Sequence, residues 1–488
     1  MRGSNYHVMI NPRTFSDKSG VLEFFHSKGI LVSPEALDVI LERGMGSLVT
    51  RLLSNEILSA GYISENDVVK LIRGEIKNEP EIKEINFDDI RTGSSIDDFQ
   101  KLFRSRYDKL KKIIVTSSKL RSSLDIRSAK KSGGFVKIVG MVTDVSETKN
   151  GHKRLILEDL DESIEAIIMK DNPVKKELIL NDEVIGVIGS VSKTGEKPAI
   201  FVKEIIRPDI PARTISDSGK EPVYLASISD IHVGSKTFLK DGFRKMVNWI
   251  KSSEDDAQKL KYLVLSGDVI DGIGVYPGQD HDLEFLNPIE QYSALSDYLS
   301  EIPEDIEVYV MPGNHDTVRL AEPQPLFSKG VRDLFPKNIK FLPNPYSMIL
   351  ENKRIMVYHG MSLNDMVELV PGANFSSIGG AIEAILQRRH LSPVYGGKTP
   401  IIPSGTDYHV IEEVPDIFIT GHIHSHYLGN YNGVRYVNSS TWQSQTEYQK
   451  MMNFAPDPCI LTMFDLNSQS VVRKNSSDHS KPFRGFSK

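Results

Sequence analysis

The sequence predicts three blocks in series: a small helical module, a five-stranded β-barrel and a layered α/β domain. Three observations carry this. The chain has 488 residues, of which 39% are hydrophobic, enough for about three domains with a core each. Short β-rich runs crowd residues 135–209, and beyond residue 222 apolar runs alternate with helical patterns. Five of those later runs end in side chains able to bind a metal ion.

Residues 1–75 read as a helical N-terminal interaction module. Ser33-Pro34-Glu35 offers an N-cap followed by proline at the first helical position, and Ser64 to Asp67 forms a capping box before Val68-Val69-Lys70-Leu71-Ile72. Leu48, Leu52, Leu53 and Ile57 are spaced for helices. Docking is the favoured role, with a minor nucleic-acid contact second.

Residues 76–134 have linker chemistry, with Pro80 and Thr92-Gly93-Ser94-Ser95, interrupted by one helix over 96–114. Phe99, Phe103, Tyr107, Leu110 and Ile113 make a stripe at helical spacing, read first as packing against a neighbouring domain. Arg104, Arg106, Lys109, Lys111 and Lys112 make the same helix basic, so phosphate contact is the second reading.

Residues 135–209 hold five runs: Phe135 to Val145, Lys153 to Leu160, Ser163 to Lys170, Glu183 to Val191 and Ala199 to Pro208. A helix-capable stretch, Val174 to Leu180, follows the third. Five strands with that insertion match an OB-fold. Such barrels bind single strands through aromatic side chains in a basic groove. Here Phe135 and Phe201 are the only aromatics and acidic residues outnumber basic ones, which favours a structural barrel over a strand-binding one.

A polar connector, residues 210–221, leads to the α/β domain at 222–475, where Gly242 to Ser252, Pro288 to Leu299 and Phe375 to Arg389 show helical patterns. Residues 476–488 are expected to form a loose tail.

Composition restrains the function. A net charge of −6 argues against a protein that coats polyanions, because such binding is driven by Lys and Arg. The single Cys459 excludes an internal disulfide and a thiolate metal cluster. No export signal or membrane-length apolar run is seen, so a cytoplasmic protein is expected, with any metal held by His, Asp and Asn.

The chemistry gathers at the ends of apolar runs. Tyr224 to Ser229 leads into Asp230-Ile231-His232, and Tyr262 to Gly267 into Asp268, with Asp271 just beyond. Val308 to Met311 leads into Gly313-Asn314-His315-Asp316, Arg354 to Tyr358 into His359, and Ile417 to Gly421 into His422-Ile423-His424. Asp230, His232, Asp268, Asn314, His359, His422 and His424 have the makeup of a two-metal site, since carboxylate, imidazole and amide oxygen suit manganese, iron or zinc. Two neighbouring cations need a bridging carboxylate, and a lone Asp behind a Gly, as at Asp268, suits that role.

Singly, an Asp-x-His or His-x-His is more often a hydrogen-bonded loop. Together, five of the thirteen histidines fall inside these motifs on separate strands. His281, His390, His409 and His426 are read as ordinary polar contacts. Gly396-Gly397-Lys398-Thr399 ends like a phosphate-binding loop, but Ser392 stands where that motif needs glycine.

The five motifs resemble the calcineurin-like metallophosphoesterase superfamily, with no position of the pattern missing. The resemblance implies that Asp230, His232 and His424 hold one cation and Asn314, His359 and His422 the other. It implies that Asp268 bridges them and that His315, supported by Asp316, stabilises charge or protonates the leaving oxygen. The family's phosphoprotein phosphatases place an Arg before the Gly-Asn-His motif. Met311-Pro312 stands here, which leans towards a phosphodiester substrate.

The wider chain, from about residue 96 to 465, resembles the small subunits of archaeal family-D DNA polymerases. Gln387-Arg388-Arg389-His390-Leu391-Ser392-Pro393-Val394-Tyr395 onward to Pro400, Val414 to Phe418, and Phe103-Arg104-Ser105-Arg106-Tyr107 carry the likeness. This implies a 3′–5′ exonuclease using two divalent ions, Mn²⁺ first and Fe²⁺ or Zn²⁺ as alternatives. It would proofread the DNA 3′ end for a large catalytic subunit, alongside other replication factors. A non-catalytic scaffold and a free-standing phosphodiesterase are the competing readings.

Overall fold

The computed structural model describes residues 95–192, 198–214, 219–451, 453–476 and 484–487, with short stretches at 22–23, 25–26, 31–34, 36–37 and 62–63. The chain divides into two compact units, Met1–Lys83 and Glu84–Lys488. In the first, the backbone N–H of Ala36 donates to Ser33 Oγ at 3.1 Å, which is the cap read from Ser33-Pro34. Leu31–Val32 (β1) pairs in parallel with Tyr62–Ile63 (β2), an addition to the all-helical reading. The Ser64–Asp67 capping box and the Leu48 to Ile57 run lie outside the described residues.

The second unit opens with α1 (Ile96–Ile114). Its start is fixed by a reciprocal box in which Asp98 N donates to Ser95 Oγ and Ser95 N to Asp98 Oδ2, both at 3.3 Å. Tyr107, Leu110 and Ile114 pack on Val139, Val184 and Ile188 of the barrel, so the apolar stripe is a packing face. Arg106, expected on a basic surface, is instead fully buried, its Nε 2.8 Å from Asp407 Oδ2 and its Nη1 3.0 Å from Pro393 O. A planar guanidinium tolerates this because its donors meet a carboxylate and a carbonyl together. A second helix, α2 (Ile126–Ser132), was absent from the linker reading; its seven residues are too few to show a period.

Strands β3 (Gly134–Glu147), β4 (Lys153–Glu158), β5 (Ser163–Ile168), β6 (Val184–Ser192) and β7 (Ala199–Ile206) close a barrel in the order β3-β4-β5-β7-β6, an OB-fold. Ile138, Leu155, Leu157, Ala166, Val187 and Ile200 fill it. The helix-capable stretch shrinks to one 3-10 turn, Pro173–Lys176, because Glu177 returns to extended backbone. The barrel meets the next domain through buried charge: Glu183 Oε2 lies 2.5 Å from Arg388 Nε, and Glu183 Oε1 3.3 Å from Arg207 Nη2.

The α/β domain supplies β8 (Tyr224–Ile228), β9 (Leu260–Ser266), β10 (Glu307–Met311), β11 (Ile339–Phe341), β12 (Tyr346–Leu350), β13 (Lys353–Val357), β14 (Ile417–Thr420), β15 (Tyr427–Tyr431), β16 (Val434–Asn438), β17 (Ile460–Asp465), β18 (Val471–Asn475) and β19 (Arg484–Ser487). They form two sheets, ordered β11-β10-β9-β8-β17-β18-β19 and β12-β13-β14-β16-β15. Leu225, Val264 and Met311 of the first meet Ile355, Ile417 and Val437 of the second in a shared core. Helices α3 (Lys240–Ile250) and α4 (Pro288–Ser300) pack on the outer face of the first sheet. Helices α5 (Leu363–Leu369) and α6 (Gly379–Arg388) pack on that of the second.

This four-layer sandwich explains the unbroken apolar runs, because β8, β9, β10 and β14 are buried on both faces and cannot alternate. Truncating a central residue such as Ile419 to Ala costs about 2–5 kcal/mol. The expected loose tail is corrected in part, since β19 pairs antiparallel with β18 and extends the sheet.

Candidate metal centre

β8, β9 and β10 of one sheet and β13 and β14 of the other end at a common rim. The residues just past those ends converge there. Asp230, His232, Asp268 and His422 have φ of 50°, 53°, 49° and 69°, in the left-handed region. Holding a non-glycine residue there costs about 1–3 kcal/mol, and such strain concentrates at functional sites. Backbone bonds lock the turns: Asp230 N donates to Gly267 O at 3.0 Å, His232 N to Asp268 O at 3.1 Å and Gly421 N to His359 O at 2.8 Å. Gly313 is needed for close approach, since a Cβ there would sit 2.2 Å from Asp268 Oδ1.

The donor atoms fall into overlapping sets. Asp230, His232 and His424 form one, Asp268, His359 and His422 another, and His232, Asp268 and His315 a third, each within 4.8 Å. Asp268 therefore belongs to two neighbouring sets. Asn314 Oδ1 joins the second, 3.0 Å from His359 Nε2. The Nε2 atoms of His232 and His424 face each other at 3.2 Å, and Asp230 Oδ1 lies 3.5 Å from His424 Nε2. Asp230 Oδ1 is buried without a hydrogen-bond partner. A buried orphan carboxylate oxygen beside two imidazole nitrogens is a donor set that fits a divalent cation.

Surrounding groups settle which ring atoms face inward. His359 Nδ1 is 2.9 Å from Ser266 O and His315 Nδ1 is 2.8 Å from Asp271 O; a carbonyl only accepts, so both Nδ1 atoms carry hydrogen and Nε2 is left for the cluster. His232 Nδ1 stands 3.0 Å from Asp271 Oδ1, close enough for an ion pair though poorly aligned as a hydrogen bond. Asp271 is itself held by Gln279 Nε2, 3.1 Å from Oδ2. This is the carboxylate–histidine support common behind metal ligands.

The electrostatics are tightly coupled. Burial alone raises a carboxyl, yet the neighbouring imidazoles outweigh it and hold Asp230 and Asp268 below the ordinary 3.8. Burial lowers the imidazoles, taking His422 to about 3 with help from His359. At His232 and His359 burial is overcome by Asp271 and Asp268 respectively, giving about 9 and about 10. A cation entering the cluster competes with protons on those two rings.

All nine residues singled out from the sequence lie in this cluster, with one change of partner. Asp316 does not touch the His315 ring: its Oδ2 accepts from Gly313 N at 2.8 Å and Val269 N at 3.3 Å, and Tyr292 donates to Oδ1 at 3.3 Å. Asp316 ties the turn, and burial together with Asp268 raises it to about 7. The sequence reading gave no part to Asn364, 2.7 Å from His422 Nε2, or to Gln449, 2.8 Å from His424 Nδ1. Neither sits in a recurring pattern. Asp271 was visible as the last residue of its motif, but its partner was not.

The sandwich, with donors at the ends of strands from both sheets, defines a calcineurin-like metallophosphoesterase fold joined to an OB-fold. A family model for the B-type subunit of DNA polymerase alpha/epsilon matches residues 225–429, and one described as an OB-fold nucleic acid binding domain matches 136–207. The chain is 62% identical over 460 residues to the DNA polymerase II small subunit of Thermoplasma acidophilum, covering 94% of this chain and 93% of that protein. It is 38% identical over 474 residues to the protein of the same name from Archaeoglobus fulgidus, covering 91% and 95%. It belongs to the family of DNA polymerase II small subunits. Among the described residues no helix is long and apolar enough to cross a membrane.

Proposed function

We propose that this chain is a two-cation phosphodiesterase that removes nucleotides from a DNA 3′ end, the 3′–5′ exonuclease of a polymerase whose large catalytic subunit is a separate chain. The observation that carries this is Asp268, shared by two adjacent donor sets in a cluster with an unpaired buried carboxylate oxygen. Asp230, His232 and His424 would hold one ion, Asn314, His359 and His422 the other, with Asp268 between them. Two divalent ions there, Mn²⁺ or else Fe²⁺ or Zn²⁺, would neutralise phosphoryl charge and supply an activated water.

The chain's own groups do the rest. His315, with Nδ1–H tied to Asp271 O, presents Nε2 as the atom that can take or return a proton. Burial, helped by His232, lowers its pKa, so the ring is neutral at rest. Asp316 fixes the turn that carries Asn314 and His315. The OB-fold over 135–209 and the module over 1–75 are assigned to assembly with the large subunit and other replication factors, in the cytoplasm.

The test is release of mononucleotides from a 3′-mismatched primer in Mn²⁺, for the wild type and His315→Ala, each with and without the co-expressed large subunit. A loss of about 10²–10³-fold in the variant is expected. Equal release would leave the scaffold reading.

A further inference from the structure

The segment after Asp271 plays no part in the metal-donor sets, yet it is built with unusual care. Ile273, Gly274, Val275, Tyr276, Pro277 and Gly278 carry no charge, and Ile273, Val275 and Tyr276 are 44%, 40% and 39% exposed. Two buried glutamines hold the base of this loop. Gln279 Nε2 donates to Asp271 O at 2.8 Å while its Oε1 accepts from Val275 N at 2.9 Å. Gln291 Oε1 accepts from Gly272 N at 2.9 Å, and its Nε2 donates to Gly272 O at 3.2 Å and Phe285 O at 2.8 Å. Gln279 is 1% exposed and Gln291 is fully buried. Burying a side-chain amide is favourable only when its bonds are met, and here they are met by the loop backbone.

The loop is thereby fastened to the cluster. The Asp271 carbonyl that accepts from Gln279 also accepts from His315 Nδ1. Gly272, at φ 71°, presses so close to His315 that a Cβ would meet His315 O at 2.2 Å. The Tyr276 hydroxyl donates to Asp282 Oδ2 at 3.0 Å, which fixes the ring. Burial and then the charge of Asp271 raise this phenol well above its ordinary value, in keeping with a position beside the site. A fixed, uncharged, apolar ledge beside a charged cluster is a surface awaiting an apolar, planar partner.

We propose that Tyr276, flanked by Ile273 and Val275, is the platform on which the terminal nucleobase of the substrate stacks, placing its phosphodiester at the cluster. This rests on the phosphodiesterase reading, and it adds what positions the strand end. Uncharged side chains suit a base and not a phosphate, and every base offers a π-face, so the contact is sequence-tolerant. Tyr276 is a positioning residue here.

The test uses the full chain and an oligonucleotide with 2-aminopurine at its 3′ end and a phosphorothioate terminal linkage that resists cleavage. Stacking quenches the fluorophore. Wild type and Tyr276→Phe should both quench it, and Tyr276→Ala should lose the quench and bind about tenfold more weakly. Asp268→Ala should retain the quench while losing hydrolysis of the ordinary linkage. No quench in the wild type, or an equal quench in Tyr276→Ala, overturns the platform. So does a Tyr276→Ala that keeps its quench but no longer co-purifies with the large subunit, which would make the ledge a protein interface. Quenching by a wild type that never hydrolyses DNA would keep the platform and end the nuclease reading.

Discussion

Two clusters of buried histidines and carboxylates lie in this sandwich, and they differ in whether they satisfy one another. In the cluster under α1, Asp407 Oδ2 is 2.8 Å from Arg106 Nε and 2.9 Å from His390 Nε2. His409 Nε2 is 3.0 Å from Glu322 Oε2, which also accepts from Tyr358 OH at 3.0 Å. Each carboxylate there meets a cation or a donor. In the rim cluster, Asp230 Oδ1 has no hydrogen-bond partner, two Nε2 atoms face each other and four residues hold left-handed backbone. The α1 cluster is a nearly closed network that binds helix to domain. The rim cluster is incomplete without something else. Tyr358 and His359 are adjacent in sequence, so the chain steps from one kind of cluster to the other within a single residue.

The largest effect that separates them is on stability. Asp407→Ala strands a buried guanidinium and should cost about 3–5 kcal/mol, read as a lower denaturant midpoint at unchanged slope. A loss below about 1 kcal/mol would show that the α1 cluster is not the structural one.

Next comes pH. At His409 burial is outweighed by Asp407 and Glu322, and the pKa stands at about 9. A raised pKa means its contribution is fully present below the unfolded value near 6.5 and is lost as pH climbs through 9, at most roughly 3 kcal/mol. At His390 burial and Arg106 lower the pKa to about 4. That neutral ring contributes above pH 6.5, and its contribution is lost as pH falls through 4. Thermal unfolding should therefore show an alkaline limb between pH 6.5 and 9 that His409→Gln flattens. An unaltered limb would contradict the assignment.

A smaller effect belongs to the rim. Asp271→Asn keeps a similar shape while weakening the support of His232 Nδ1, and should lower Mn²⁺ affinity about 10–100-fold without unfolding the chain. Unchanged affinity would place Asp271 outside the metal-binding machinery.

Much of this was legible in the sequence, for a physical reason. Strands buried on both faces must be continuous apolar runs, so Tyr224–Ile228, Glu307–Met311 and Ile417–Thr420 announced themselves, and the residues after them marked the rim. What stayed hidden was pairing between distant residues. Arg106 looked like part of a solvated basic face because its partner Asp407 lies 301 residues away. Asp316 looked like a partner of its neighbour His315, although its carboxylate turns back to Gly313 and Val269. Helix α2 and the one-turn Pro173–Lys176 were too short for a period to appear.

The central claim is that the rim cluster is completed by two cations sharing Asp268. Equilibrium dialysis against Mn²⁺, counting bound ions per chain in the wild type and in Asp268→Ala, tests it most directly. The account predicts about two ions per wild-type chain and at most about one, weakly held, in the variant. No bound ion in the wild type, or two that survive the loss of Asp268, would contradict it.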